Sequence, residues 1–199
     1  MSMGTVFLTV VCYIYEVKKH VGVIHMEIRT ATMADLETIA AVEAACFPAT
    51  EAATREEFAE RLKYYAEHFW LMFYEDKLIA FVDGIVTDEK DLADEMYEKA
   101  AMHNPEGAWQ MIFGVNTLPA YRKHGYAGEL INAAIADAKL QGRKGLVLTC
   151  KEKLLHYYAK FGFVNEGVSA STHGGVVWYQ MRLRISYGNT LSTEFCRMV

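Results

Sequence analysis

Cysteine is sparse in the 199-residue chain, and its placement excludes more than its number does. Cys12, Cys46, Cys150 and Cys196 lie far apart with no CxxC pair. That spacing argues against a disulfide framework or a zinc site, and it predicts reduced thiols, a cytoplasmic setting and no metal. An excess of basic residues is also missing. The net charge is −5, so nucleic acid is not the expected partner. No apolar run reaches the roughly 20 residues that span a bilayer. The nearest is "VFLTVVCYIY" at the N-terminus, which has no basic segment ahead of it and no small-residue cleavage site, so neither a membrane anchor nor a signal peptide is expected. GxxxxGK[ST] and GxGxxG are absent, which excludes the commonest nucleotide-binding loops. There is no internal repeat and no low-complexity segment.

What is present is an ordinary globular composition. Hydrophobic residues make up 52% and charged residues 23%, enough for one sizeable core. The β-branched run from Val6 to Val17 predicts an extra strand in a 1–25 extension. A functional domain is expected over 26–184 and a tail over 185–199.

From Met26 the chain alternates short strands and helices. Glu27–Arg29 reads as a strand, and Thr32 caps a helix that ends before Pro48. Thr54 and Glu57 form a capping box for a second helix. Residues 71–74 and 78–87 are expected strands around a turn at Glu75–Lys77, and 89–102 an expected charged helix. Trp109–Thr117 reads as one strand. Ala127, Leu130, Ile131, Ala134, Ile135 and Ala138 make an apolar stripe on a helix over 126–140. Then come a strand at 145–150, a short helix near 152–160 and closing strands at 163–168 and 176–183. The expected fold is α/β (α+β), one central sheet with helices on its faces.

The segment "YRKHGYAGEL" is unusual for a helix start. A helix N-terminus offers unpaired N–H groups and the positive end of its dipole. Gly125, Ala127 and Gly128 leave room for an anion to approach them, and Arg122 and Lys123 add charge. A pyrophosphate fits this constellation; a tight turn with solvated charges is the alternative.

The order strand, "LPAYRKHGYA", amphipathic helix, strand, "LLHYYAKFGF" resembles the GNAT superfamily of acetyl-CoA-dependent N-acetyltransferases. Arg122-x-x-Gly125-x-Ala127 matches that family's R/Q-x-x-G-x-G/A loop. Within it, "LTCKEKLLHYYAKFGF" and "YEDKLIAFVDGIVTD" look most like the serotonin (arylalkylamine) branch. The resemblance implies a splayed sheet and acetyl-CoA as co-substrate. It implies that Val115, Asn116 and Thr117 contact the acetyl-pantetheine arm. It also implies that Arg122, Lys123, His124, Gly125, Tyr126, Ala127 and Gly128 hold the pyrophosphate. Gly114 inside its strand suggests a bulge or close backbone approach.

The implied reaction is direct attack of an amine on the thioester. A backbone N–H near Val115 is the expected oxyanion donor, and Tyr158 the expected acid for the departing thiolate. Tyr157, beside it, is the alternative. The paired histidines of the serotonin branch are missing, with Met111 and Phe113 near their places. Asp83 is the candidate base and ammonium ligand, or else a solvent-facing carboxylate. Glu43 and Gln110 are weaker candidates for substrate contact. Cys150 reads as structural.

Phe47 and Pro48, with Phe58 and Tyr97, are expected to shape an apolar acceptor pocket with acidic neighbours. The implied acceptor is a small-molecule primary amine. A protein or peptide amine, or a non-catalytic CoA-binding module, remain as alternatives. A homodimer formed by pairing the N-terminal strand with the closing strand is a further expectation.

Overall fold

The computed structural model describes residues 13–18 and 23–187. The expected strand residues 6–12 and tail residues 188–199 lie outside that range, as do Cys12 and Cys196. Strand β1 (Tyr13–Lys18) pairs antiparallel with β2 (Val23–Thr30), so the domain's first sheet begins before Met26. Thr32 and Asp35 form a capping box over one 3-10 turn, and α1 (Leu36–Cys46) follows. Thr54 and Glu57 cap α2 (Arg55–Tyr65) as expected.

Strands β3 (Phe69–Tyr74) and β4 (Lys77–Asp83) form the expected hairpin. The predicted strand over 78–87 is broken, however, and resumes as β5 (Val86–Thr87). Backbone contact explains the break: a Cβ on Gly84 would lie 1.8 Å from the Met111 carbonyl oxygen. The expected helix over 89–102 reduces to α3 (Glu95–Glu98) and one 3-10 turn. Its charged residues serve as tethers instead: Asp91 pairs with Arg182, and Asp94 holds Ser171 and Thr172.

The predicted strand over 109–117 also divides, into β6 (Trp109–Ile112) and β7 (Gly114–Thr117). Next come α4 (Tyr126–Leu140), β8 (Gly145–Cys150), α5 (Leu155–Ala159), β9 (Val164–Val168) and β10 (Tyr179–Arg184).

The two breaks share one cause. The strands fall into two five-stranded sheets, β1-β2-β3-β4-β7 and β5-β6-β8-β10-β9. The chain crosses between them at Gly84–Ile85 and again at Phe113. β6 runs parallel to β8 as far as Ile112 opposite Leu148, and then β7 leaves to pair with β4. The sheet therefore splays between β7 and the end of β8. Side chains alternate across the first sheet. Trp70 and Met72 pack with Leu130, Ile131 and Ala134 of α4, while Phe69, Leu71 and Phe81 pack with Ile39, Phe58 and Leu62 of α1 and α2. This is the expected α/β arrangement with helices on both faces.

The closing strand β10 lies between β8 and β9, with both edges paired. The other closing strand, β9, is the edge of this sheet, so the expected dimer contact would fall to β9 rather than to β10.

Candidate active site

Two connected spaces occupy the gap left by the splay. The outer cleft is about 400 Å³, bounded by Val115 and Thr117 of β7, Arg122, Ala127, Tyr157 and Tyr158. The inner chamber is about 80 Å³, bounded by Glu43, Arg61, Tyr97, Phe113, Gly114 and Thr149. Phe47, Glu51 and Trp178 border both. Phe47 and Pro48, expected at the acceptor site, do line the outer cleft.

β7 gives the outer cleft an open backbone edge. The Leu118 N–H donates to the Ile79 carbonyl, and Asn116 stands opposite Phe81. Only alternate residues of an antiparallel ladder turn their N–H and C=O toward the partner. Asn116 therefore faces β4, while Val115 and Thr117 direct their backbone groups away from it. The Arg122 side chain confirms the direction, donating from Nε to the Thr117 carbonyl at 3.0 Å.

The turn before α4 is the second feature. Among the described residues, no carbonyl accepts from the N–H groups of Lys123, His124, Gly125, Tyr126 or Ala127. Lys123 and Gly125 both take left-handed backbone, at φ 67° and 93°. That curls the chain so that its donors converge, a form suited to an anion. Nothing lies within 4 Å of a Cβ built on Gly125, so its glycine serves conformation.

Gly128 differs from expectation. Its N–H already donates to the Gly125 carbonyl, and a Cβ there would stand 3.1 Å from the Phe161 ring. Its smallness admits the Phe161 ring, in the turn after α5, rather than an anion. The His124 ring stacks on Tyr126, 5.7 Å between centroids.

Asn116 is also corrected. Its side chain is fully buried on the face opposite Val115, close to Glu43, so only its backbone borders β7's ladder. Tyr158 reaches the outer cleft with only 6% of its surface exposed. Burial, with Cys150 and Tyr157 beside it, pushes its phenol well above the ordinary range, so it stays protonated. Cys150 is buried, with its thiol raised to about 11 by burial and its Sγ 3.7 Å from Met181 Sδ. It is structural, as expected.

Asp83 is neither solvent-facing nor at the cleft surface. It is 1% exposed, accepts the Gly114 N–H at 3.0 Å and pairs with Arg61 at 3.2 Å. Arg61 forms the chamber wall at that point, and Asp83 sits behind it. Burial raises the Asp83 carboxyl, opposed by Arg61 and the Gly114 N–H.

Glu43 holds the position expected of Asp83. One oxygen accepts the Ala53 N–H at 3.1 Å, while the buried Oε2 has no partner. Burial first, and then the Asp83 charge, raise its carboxyl to about 7, against the Ala53 N–H, the Asn116 amide and Arg61. Every other acid at the chamber is already engaged. Glu51 pairs with Lys151 at 2.8 Å, and Glu57 closes the α2 cap. Arg61 Nε and Thr117 Oγ1 are further buried polar atoms without partners around the same gap. Such a cluster marks a place where a polar ligand is received.

Arg61, His173, Trp178 and the role of Glu43 were not recovered from sequence. Arg61 left a signal: it falls three residues after Phe58 and four before Tyr65, on the buried stripe of α2. His173 and Trp178 lie in an aperiodic, glycine-containing loop that carried none.

A splayed sheet, an open strand edge and an anion-receiving helix start define a class, and comparison with known proteins agrees. The acetyltransferase (GNAT) family pattern matches residues 36–163, and the chain belongs to that family. A serotonin N-acetyltransferase of Mesocricetus auratus is 26% identical over 111 residues, covering 55% of this chain and 52% of that protein. The match thus spans about half the length of that relative. The loading GNATL domain of CurA from Lyngbya majuscula superposes with TM-score 0.69 at 15% identity, covering 80% of this chain and 97% of that one. Arabidopsis thaliana Naa50, solved with the bisubstrate analogue CoA-Ac-MVNAL, gives 0.63 at 16%, covering 80% and 99%. Among the described residues, no helix is long and apolar enough to cross a membrane.

Proposed function

We propose that the protein transfers the acetyl group of acetyl-CoA directly to the primary amine of a small molecule. The observation that carries this reading is one juxtaposition. The open Val115 edge and the Glu43 carboxylate, whose Oε2 makes no hydrogen bond, border adjoining spaces joined at Phe47. The N–H groups of Lys123 to Ala127, with Arg122, suit the diphosphate of the cofactor. Val115, and Thr117 once Arg122 Nε leaves its carbonyl, suit its pantetheine arm, and the Val115 N–H suits the thioester oxygen.

The amine arrives as an ammonium ion. Glu43 Oε2 takes its proton, and the neutral amine attacks the thioester carbon. Negative charge gathers on the carbonyl oxygen, where the Val115 N–H stabilises it. The C–S bond then breaks, the Tyr158 hydroxyl gives its proton to the leaving thiolate, and the surplus proton on the new amide nitrogen returns to the Tyr158 phenolate. Asp83 acts as a positioning residue, fixing Gly114 and raising Glu43 by its charge. The non-catalytic alternative drew on the missing histidines, and Glu43 supplies the base they would have provided.

Release of CoA thiol is the test. Mixing the protein with acetyl-CoA and a set of primary amines is expected to give turnover that Glu43→Gln suppresses. Tight acetyl-CoA binding without turnover on any amine would favour the binding-module reading.

A further inference from the structure

Resting on that reading, we propose that Glu51 and its partners form a clasp that restricts the acceptor to a compact alkyl monoamine and shuts out peptide N-termini. Glu51 lies in the α1–α2 loop. Its carboxylate is held by Lys151 Nζ at 2.8 and 2.9 Å, and its side chain is 7% exposed. Its backbone carbonyl meets His173 Nε2 at 3.2 Å. Gly174, at φ 62°, lies so close that a Cβ there would stand 2.7 Å from Glu51 Cγ. The two loops over the chamber are thus in direct contact.

Each loop is also anchored elsewhere. Asp94 accepts from Ser171 Oγ and from the Thr172 N–H, and the Trp178 indole donates to the His173 carbonyl at 2.8 Å. On the other side, Glu51 and Ala52 both donate N–H to the Pro48 carbonyl, and Ala53 donates to Glu43. The clasp is therefore connected to the proton acceptor itself. A peptide would have to part these loops, because its chain continues beyond the reacting amine.

Size and charge define what remains. The chamber of about 80 Å³ is roughly half the 150 Å³ that receives benzene in a protein interior. Phe47, Tyr97, Phe113 and Trp178 supply the apolar part of its walls. Arg61 is neutralised by Asp83, and Lys151 by Glu51. Glu57 is taken up in the α2 cap, which leaves Glu43, with its unbonded Oε2, to receive a cation. A ligand with one ammonium group and a short uncharged body satisfies all of this.

The test compares kcat/KM for propylamine, 2-phenylethylamine and a tetrapeptide with a free N-terminus, in wild type, Glu51→Ala and Lys151→Met. Wild type is expected to favour propylamine by about tenfold or more over both others. Each variant breaks the clasp from one side and is expected to raise the peptide relative to propylamine by about tenfold. Melting curves establish that the variants fold, and either one suffices. Wild type favouring the peptide or 2-phenylethylamine would overturn the clasp while leaving acetyl transfer intact. A peptide-to-propylamine ratio unmoved in the folded variants would do the same. No CoA release with any acceptor would overturn the acetyl-transfer reading itself.

Discussion

Asp83 Oδ1 accepts the backbone N–H of Gly114 at 3.0 Å. This bond lies at the point where the two sheets part. The strand that begins as β6 leaves β8 here and joins β4, and Asp83 is the last residue of β4. A buried carboxylate thus fixes the hinge of the splay and sets where the Val115 edge points.

Gly114→Ala is expected to disturb that hinge. A Cβ would lie 2.6 Å from Asp83 Oδ1 and 2.9 Å from Asn116 Nδ2, both on buried side chains. A loss of about 1–3 kcal/mol in urea-measured stability is expected, together with weaker acetyl-CoA binding. A variant as stable as wild type with unchanged affinity would show that the splay does not depend on this contact.

Arg61 is the other half of the arrangement. It pairs with Asp83, donates to the Tyr97 carbonyl at 3.1 Å and lies over the Phe58 and Phe113 rings. Arg61→Met leaves Asp83 as a buried, uncompensated charge. The expected cost is about 3–5 kcal/mol, read from chemical denaturation.

Glu43 is expected to tie activity and stability to pH in opposite directions. Its carboxyl stands at about 7 in the fold against an ordinary 4.5. Between those values the folded state holds more protons than the unfolded one, so Glu43's contribution to stability falls as pH rises. Glu43→Gln removes that dependence and is expected to be more stable than wild type above pH 7, by about 3 kcal/mol. The same substitution is expected to cut kcat about 100-fold and to abolish the wild-type rise of kcat/KM through pH 7. Melting curves at pH 5 and 8 and a pH–rate profile check both halves.

Tyr158→Phe removes a hydroxyl and little else. A fall in kcat of about 100-fold is expected, with acetyl-CoA affinity held. An unchanged rate would take Tyr158 out of the mechanism and turn attention to Tyr157, which lines the same cleft.

The sequence carried the fold well wherever periodicity was strong. The α4 stripe, the Thr54 capping box and the β3–β4 hairpin all stand where local pattern placed them. Local pattern could not reveal that 78–87 and 109–117 each change sheets midway, because that break is made by Gly84 meeting Met111 across the fold. The charged stretch 89–102 misled because its acids answer to Arg182 and to Ser171 and Thr172, some 80 to 90 positions away.

The site was legible in the same uneven way. Gly125 and its neighbours mark the left-handed turn with its unbonded N–H groups through backbone freedom at one place. Asp83 and Glu43 are both acids in apolar surroundings, and strand alternation did place Asp83 on the Phe81 face. Which of the two meets the chamber depends on Arg61, which claims one and not the other. That choice is tertiary, and no spacing along the chain encodes it.

In the proposed reaction the turn before α4 grips the cofactor's diphosphate and so brings its thioester to Val115. Amide NMR during titration with CoA reads it directly. Large shifts are expected for the backbone N–H signals of Lys123 to Ala127, with a second group at Val115 and Thr117. Saturating CoA that leaves the Lys123–Ala127 amides unmoved would contradict the account.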